Sequence, residues 1–333
     1  MEVEKKKKIK VSIICLTYNH ESFIEDALKG FLMQKTNFEY EILINDDASN
    51  DKTPQILKWY EQKYPNYFKV IYQKKNLYSQ GISPAAILYE MAQGEYLALC
   101  EGDDYWIDEF KLQKQIDFLD KNLGYIGAGH NVYVVNKFKE KYKKFQDIWP
   151  LYKEHSLIKY RDLEEHGICA QTASLVIRNF WKTFKKKEKN IYLEKKINGD
   201  TKLTLYMIHS GKIYYFSEVM SCYRLTFDTD SWTSLNKKNY SIKRDYEYRN
   251  ESISFLKDLL GKDLIFNEEY FYFKILKKLV KSPNIENIKM FIYILKKDKN
   301  KLKNIMLTIK FILYKLMIKL KLRKRKYLWP LLQ

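Results

Sequence analysis

Tyr96-Leu-Ala-Leu-Cys-Glu-Gly-Asp-Asp-Tyr-Trp106 is an apolar strand that stops abruptly in three carboxylates, Glu101, Asp103 and Asp104. Gly102 among them lets the backbone approach a neighbour closely. Three negative charges within four residues repel one another unless a cation or an array of donors offsets them. A hard divalent ion such as Mg²⁺ or Mn²⁺, taking oxygen ligands and bridging to phosphate, is the natural partner. The bland alternative is an acidic loop that solvates itself. Position argues against it, because ligands of open α/β sheets sit outside the carboxyl ends of strands.

Two more strands end in polar loops. Glu41-Ile-Leu-Ile-Asn45 runs into Asp46-Asp-Ala-Ser-Asn-Asp51, and Val11-Ser-Ile-Ile-Cys-Leu16 ends in Thr17-Tyr-Asn-His20. Each leads into a helical pattern, over residues 21–33, 51–63 and 109–121. This alternation predicts a mostly parallel α/β sheet with right-handed crossovers, of the Rossmann-like kind. Its three polar strand ends would line one crevice suited to an activated nucleotide.

These segments, with Asn76, Gly94-Glu-Tyr96 and the acidic stretch Glu101-Gly-Asp-Asp-Tyr-Trp106, resemble the family 2 glycosyltransferases. These are inverting sugar transferases of the GT-A fold. Lys111-Leu-Gln-Lys-Gln-Ile-Asp-Phe-Leu119 is similar to bacterial members that build surface polysaccharides. The resemblance spans about residues 9–226, and its specificity lies in the order and spacing of the set. It implies residues 9–105 as a nucleotide-sugar half and 106–230 as an acceptor half of one domain, residues 1–235. The Lys- and Tyr-rich stretch 136–160 is expected to be an irregular loop over the acceptor, and 185–198 a second pocket loop.

Transfer from a nucleotide sugar requires a neutralised diphosphate, a held nucleotide and a deprotonated acceptor hydroxyl. The resemblance places Glu101 and Asp103 in a motif that usually reads Asp-x-Asp, with Asp103 the better metal ligand and a Glu at the first position as a departure. Asp104 either joins them or caps the following turn. Asp46 or Asp47 would accept a hydrogen bond from the imide N–H of uracil or thymine, which favours a UDP- or dTDP-sugar. Thr17 and Tyr18 would pack on base or ribose. Asn76 is either a nucleotide contact or an ordinary turn residue. For the base, Ile197-Asn-Gly-Asp200 before a helical stretch matches the family's acidic residue, so Asp200 is the candidate, with an N-cap as its alternative role. Asp162 and Glu164 have no comparable match. Tyr223-Arg-Leu-Thr226 resembles a segment that often reads Tyr-Arg-x-His, leaving Arg224 as a diphosphate partner or a structural ion pair.

Composition bounds the rest. The four cysteines, Cys15, Cys100, Cys169 and Cys222, lack metal-ligand spacing and read as buried thiols of a reducing compartment. The charged first ten residues carry no secretory signal, and no apolar run is long enough to span a bilayer. Of the net charge of +19, residues 241–333 hold 23 Lys or Arg against 9 Asp or Glu. A nucleic-acid binder would carry that excess across its main domain, whereas here the crevice motifs are acidic. A nucleotidyltransferase would want a Gly-rich, Arg-containing loop after the first strand, and Thr17-Tyr-Asn-His20 lacks it.

After Trp232 the pattern turns helical, as an extension over 236–298 (about 240–260, 267–281 and 285–297) and a basic helix and tail over 299–333. Within 302–326, Ile305, Met306, Ile309, Leu313, Leu316, Met317 and Leu320 share an arc of roughly 120°. Flanking lysines and Arg323-Lys-Arg-Lys326 suit an anionic membrane surface; the alternative is a helix packed on its own domain. The resulting expectation is a cytoplasmic enzyme, peripheral at the inner face of a bacterial membrane and acting on a glycan or lipid-linked acceptor.

Overall fold

The computed structural model describes residues 8–142, 156–157, 170–226, 241–262, 268–281 and 284–297, together with Met306 and Ile309. The chain divides into two compact units, Met1–Asp228 with Asp258–Leu260, and Thr229–Lys257 with Gly261–Gln333.

The first unit opens with β1 (Ile9–Thr17), α1 (Ile24–Leu32), β2 (Glu39–Asp46), α2 (Thr53–Lys63), β3 (Phe68–Tyr72), α3 (Pro84–Met91) and β4 (Tyr96–Leu99). The strands lie parallel in the order β3-β2-β1-β4. The near-continuous apolar runs of β1, β2 and β4 are what a sheet covered on both faces requires, since neither side of the pleat meets water. Next come β5 (Tyr105–Trp106), α4 (Lys111–Lys121), β6 (Tyr125–Val135), β7 (Ser156–Leu157), β8 (Val176–Arg178), α5 (Lys186–Glu194), α6 (Gly199–Ser210) and β9 (Lys212–Arg224). Strand β8 inserts antiparallel between β4 and β6, β9 runs parallel to β6, and β5 and β7 pair antiparallel with β9. The result is the expected α/β sheet flanked by helices, parallel in its first half and mixed in its second.

Local chemistry sets the element bounds. Helix α1 starts at Ile24 because the His20 carbonyl first accepts the Phe23 and Ile24 N–H groups in a turn. A Cβ at Gly94 would stand 2.5 Å from the Ser12 nitrogen, so the turn into β4 needs glycine. Two helices depart from the sequence reading. Helix α3 was not expected, and α5 occupies the stretch 185–198 read as a loop. In α5 only Tyr192 is buried, so its lysine-rich sequence carries no apolar stripe to reveal it.

The second unit contains most of α7 (Ile242–Leu260), and α8 (Glu268–Lys281) and α9 (Ile285–Lys297), the three helices expected of the extension. Ser241 caps α7 by accepting the Arg244 N–H at 3.2 Å, and Gly261, at φ 64°, ends it. Ile242, Phe271, Tyr272, Ile275 and Ile294 form a small core. The expected amphipathic helix lies outside the described residues except for Met306 and Ile309, which are helical and exposed. Among the described residues no helix is long and apolar enough to cross a membrane.

The core beneath the acidic stretch is polar at one point. Trp106 packs edge-on against Phe31, centroids 4.9 Å apart, and its indole N–H donates to the Ala173 carbonyl at 2.9 Å. Lys111, first residue of α4, is fully buried with Nζ 4.1 Å from the Trp106 ring centroid and donates to Gln115 Oε1 at 2.8 Å. Burial strips its hydration and lowers its pKa to about 7. The unfolded chain keeps that proton up to its ordinary value of 10.5, so between these values the unfolded state binds more protons and stability rises with pH. Lys111→Met should abolish this contribution. Denaturant titrations from pH 7 to 10 should show wild type gaining on the variant at up to about 1.4 kcal/mol per pH unit. Parallel profiles would contradict a buried, neutralisable lysine.

Candidate active site at the strand ends

Because β1, β2, β3 and β4 are parallel, their carboxyl ends open on one edge. Thr17 is in register with Asp46 and Asp46 with Tyr72, while Ile14 pairs Leu99. Two of the loops beyond are stitched together. Asn19 and Ala48 adopt positive φ, 54° and 64°. The Asn19 N–H donates to Ser49 Oγ at 2.8 Å and Asn19 Oδ1 accepts from the Asn50 N–H at 3.0 Å. The His20 N–H donates to Thr53 Oγ1, the Glu21 N–H to Asp51, and the Lys52 N–H to Glu21, each at 2.9 Å.

The paired aspartates divide. Asp47 accepts the backbone N–H groups of Leu77 and Tyr78 at 2.7 and 3.0 Å, one on each oxygen, and so pins the loop that carries Asn76. Asn76 in turn accepts the Ser79 N–H at 2.7 Å, as a turn cap. Asp46 is buried and accepts the Ser49 hydroxyl; loss of hydration pushes its carboxyl up, against the Ser49 bonds. Thr17 is buried with an Oγ1 that finds no partner among the described residues, whereas Tyr18 is exposed.

The carboxylates of Glu101, Asp103 and Asp104 each offer an oxygen, and these lie within 4.8 Å of one another. Burial pushes the Glu101 carboxyl well above its usual range, and the charges of Asp200, Asp103 and Asp104 add to the shift. Asp104 is raised in the same way, by burial and then Asp103, against the Arg224 N–H and the Gln171 amide. Among the described residues no cation contributes to offsetting Glu101. A cluster of hard oxygens with uncompensated charge fits a divalent cation, with partly exposed Glu101 and Asp103 as its most accessible ligands. Gly102 has a packing reason: a Cβ there would come within 2.9 Å of Thr17, His20 and Ile24 side chains.

Arg224, at the end of β9, is enclosed. It pairs with Asp26 at 2.8 Å, donates to the Asp103 carbonyl, and lies over Phe23 and Tyr105 at 4.6 and 5.0 Å. This is the geometry of an ion pair that braces the acidic turn.

Asp200 sits in the first turn of α6, whose N-cap position is Asn198. Its carboxylate is solvent-exposed by area, yet enough protein surrounds it that reduced hydration raises it. Its charge adds to the upward shifts of the Glu101 carboxyl and the Tyr89 hydroxyl. Behind it, Tyr89, Phe180, Trp181, Phe184, Tyr192 and Tyr206 form one aromatic cluster. Lys202 Nζ donates to the Tyr192 carbonyl at 2.6 Å, and Glu90 ties α3 to both Trp181 Nε1 at 2.6 Å and Lys189 at 2.8 Å. Sequence reading missed this support, because contacts between α3, α5 and α6 leave no local signature. Asp162, Glu164 and most of the stretch 136–160 lie outside the described residues.

Comparisons with known proteins identify the family and the fold. The description "Glycosyl transferase family 2" matches residues 12–184, just over half of the chain. The uncharacterized protein Rv1520 of Mycobacterium tuberculosis is 41% identical over 174 residues, 50% of this chain and 46% of that protein. TuaG of Bacillus subtilis, named for teichuronic acid biosynthesis, is 37% identical over 109 residues, 33% of this chain and 41% of TuaG. The chain thus spans about half or less of the length of these curated relatives. Staphylococcus aureus TarS 1–349, solved in complex with UDP-GlcNAc, superposes with a TM-score of 0.60 at 18% identity, covering 86% of this chain and 80% of that one. That likeness shows the fold, which is GT-A. The strand-end motifs, the acidic turn and the family match together make this chain a member of glycosyl transferase family 2.

Proposed function

We propose that the protein is a metal-dependent, inverting glycosyltransferase that moves a sugar from a UDP- or dTDP-sugar to a hydroxyl of a glycan or lipid-linked acceptor in bacterial surface polysaccharide synthesis. The observation that carries it is the cluster of Glu101, Asp103 and Asp104 oxygens within 4.8 Å at the strand ends, and the charge of Asp200, the base candidate, acting on Glu101 supports it. Asp103 and Glu101 would hold Mn²⁺ or Mg²⁺, which when bound neutralises the leaving diphosphate as a Lewis acid. Asp46 is the carboxylate left to accept the imide N–H of the base, since Asp47 and Asn76 are engaged in ordering the adjacent loop. Thr17 and Tyr18 flank the base and ribose. Arg224 reaches the diphosphate only indirectly, by fixing the Asp103 backbone. Asp200 takes the acceptor proton as the hydroxyl attacks the anomeric carbon opposite the leaving group, and a carboxyl raised by poor hydration is a stronger base than one in water. The UDP-GlcNAc held by TarS supports the donor class, and the name of TuaG supports a surface polymer as destination.

Asp103→Asn should abolish transfer with the fold intact, and EDTA should do the same to the wild type, where only added Mn²⁺ or Mg²⁺ restores it. Full activity of the variant in chelator would end the metal assignment.

Asp200→Asn should keep nucleotide-sugar binding, measured by calorimetry, while transfer falls by a factor of about 10² or more. Lost binding, or persistent transfer, would move the base elsewhere.

The basic C-terminal segment lies on an anionic membrane in this reading and keeps a cytoplasmic enzyme beside its acceptor at the inner face. Each surface base contributes about 1 kcal/mol, so vesicle binding should weaken as salt rises. A chain ending near Asp298 should stay folded, bind nucleotide sugar and lose co-sedimentation with anionic vesicles. A full chain that stays in the supernatant at low salt, with truncation unfolding it, would assign the helix to the core.

A further inference from the structure

The acidic turn offers three carboxylates, and they are not alike in access. Asp104 is fully buried, whereas Glu101 and Asp103 reach solvent. Asp104 Oδ1 accepts the Arg224 backbone N–H at 2.7 Å, and Oδ2 accepts from Gln171 Nε2 at 2.7 Å. Gln171 is itself buried, and its Oε1 accepts the Ala173 N–H at 2.6 Å. That pair of partners fixes the amide orientation, because a flip would set oxygen against carboxylate and NH₂ against N–H. The backbone around it is held too: the Gln171 carbonyl accepts from Ser174 Oγ at 2.7 Å, and the Ala173 carbonyl accepts from the Trp106 indole at 2.9 Å.

We infer that Gln171 is a positioning residue: with the Arg224 N–H it commits both oxygens of Asp104 to the fold, so that cation binding falls to Asp103 and Glu101 alone. The inference rests on the metal-dependent reading above. Its chemical consequence is a site with two protein carboxylates, which leaves coordination positions for diphosphate oxygens. A third carboxylate would add negative charge that repels the donor. Small cations of this kind use one or two carboxylates plus substrate phosphates, and partners behind the ligands govern their orientation.

A donor–acceptor exchange tests this on the full chain. Asp104→Asn alone sets an NH₂ against the Gln171 NH₂, and Gln171→Glu alone sets two carboxylates face to face. Combined, they reverse the hydrogen bond, preserve the bonds to the Arg224 and Ala173 N–H groups, and leave net charge as it was. Mn²⁺ affinity with UDP present, read by electron paramagnetic resonance of free Mn²⁺, should fall about 10- to 100-fold in each single variant and return most of the way in the double variant. Transfer should follow the same order, with kcat more affected than the donor KM. A double variant as weak for Mn²⁺ as Asp104→Asn would make Asp104 a ligand and overturn the inference. So would Gln171→Glu with unchanged Mn²⁺ affinity. If a single variant does not fold, the double variant decides alone: wild-type Mn²⁺ affinity supports the inference, while weakened binding or failure to fold overturns it. Should the wild type bind no Mn²⁺ and transfer sugar in chelator, the metal reading fails instead. Thermal unfolding then judges the strut, with recovery in the double variant supporting it and no recovery overturning it.

Discussion

Crowding of negative charge at residues 101–104 is the constraint to which the surrounding structure answers. Three carboxylate oxygens within 4.8 Å of one another cannot all be ionised comfortably without donors or a cation. The fold answers unevenly. Asp104 accepts from a backbone N–H and a side-chain amide, and the Asp103 carbonyl accepts from Arg224, which is anchored to Asp26. Among the described residues no cation offsets Glu101, and its carboxyl, like that of Asp104, is held well above its usual range. The donors fix Asp104 in place without fully offsetting its burial, and partly exposed Glu101 is left open where chemistry is expected.

Rigidity of the neighbouring strand ends comes from the same economy of hydrogen bonds. Parallel register brings the polar loops after β1 and β2 side by side, and reciprocal bonds between Asn19, Ser49, Asn50, Glu21, Asp51 and Thr53 lock them. The two positive-φ residues, Asn19 and Ala48, hold strained conformations that these bonds over-determine. Such pre-organisation matters for a nucleotide, because a loop already ordered has less entropy to lose on binding.

How much of this was legible follows from the range of each interaction. Apolar runs ending in polar loops revealed β1, β2 and β4 and put Thr17, Asp46 and Glu101 on one edge, since that inference needs only strand direction. The division of labour between Asp46 and Asp47 was not legible, because it depends on N–H groups thirty residues on, at Leu77 and Tyr78. Nor were the partners of Arg224 and Asp104: Asp26 lies 198 residues from the arginine, and Gln171 lies 67 from the aspartate. Helix α5 escaped for the opposite reason, a purely local one, since a single buried tyrosine makes no periodic pattern.

The Asp200 side of the crevice shows what such a missed element can do. A carboxylate in the first turn of a helix enjoys the favourable end of the dipole, which alone would lower its pKa. Here reduced hydration wins and raises it. The aromatic cluster behind α6 explains the sign, because Tyr89, Phe180, Tyr192 and Tyr206 replace water with apolar surface while Lys202 spends its charge on the Tyr192 carbonyl. An acidic turn braced at one carboxylate and open at another is therefore matched by the proposed base, Asp200, whose carboxyl is raised by reduced hydration. The two halves of the domain meet as complementary electrostatic problems, one short of positive charge and the other short of water.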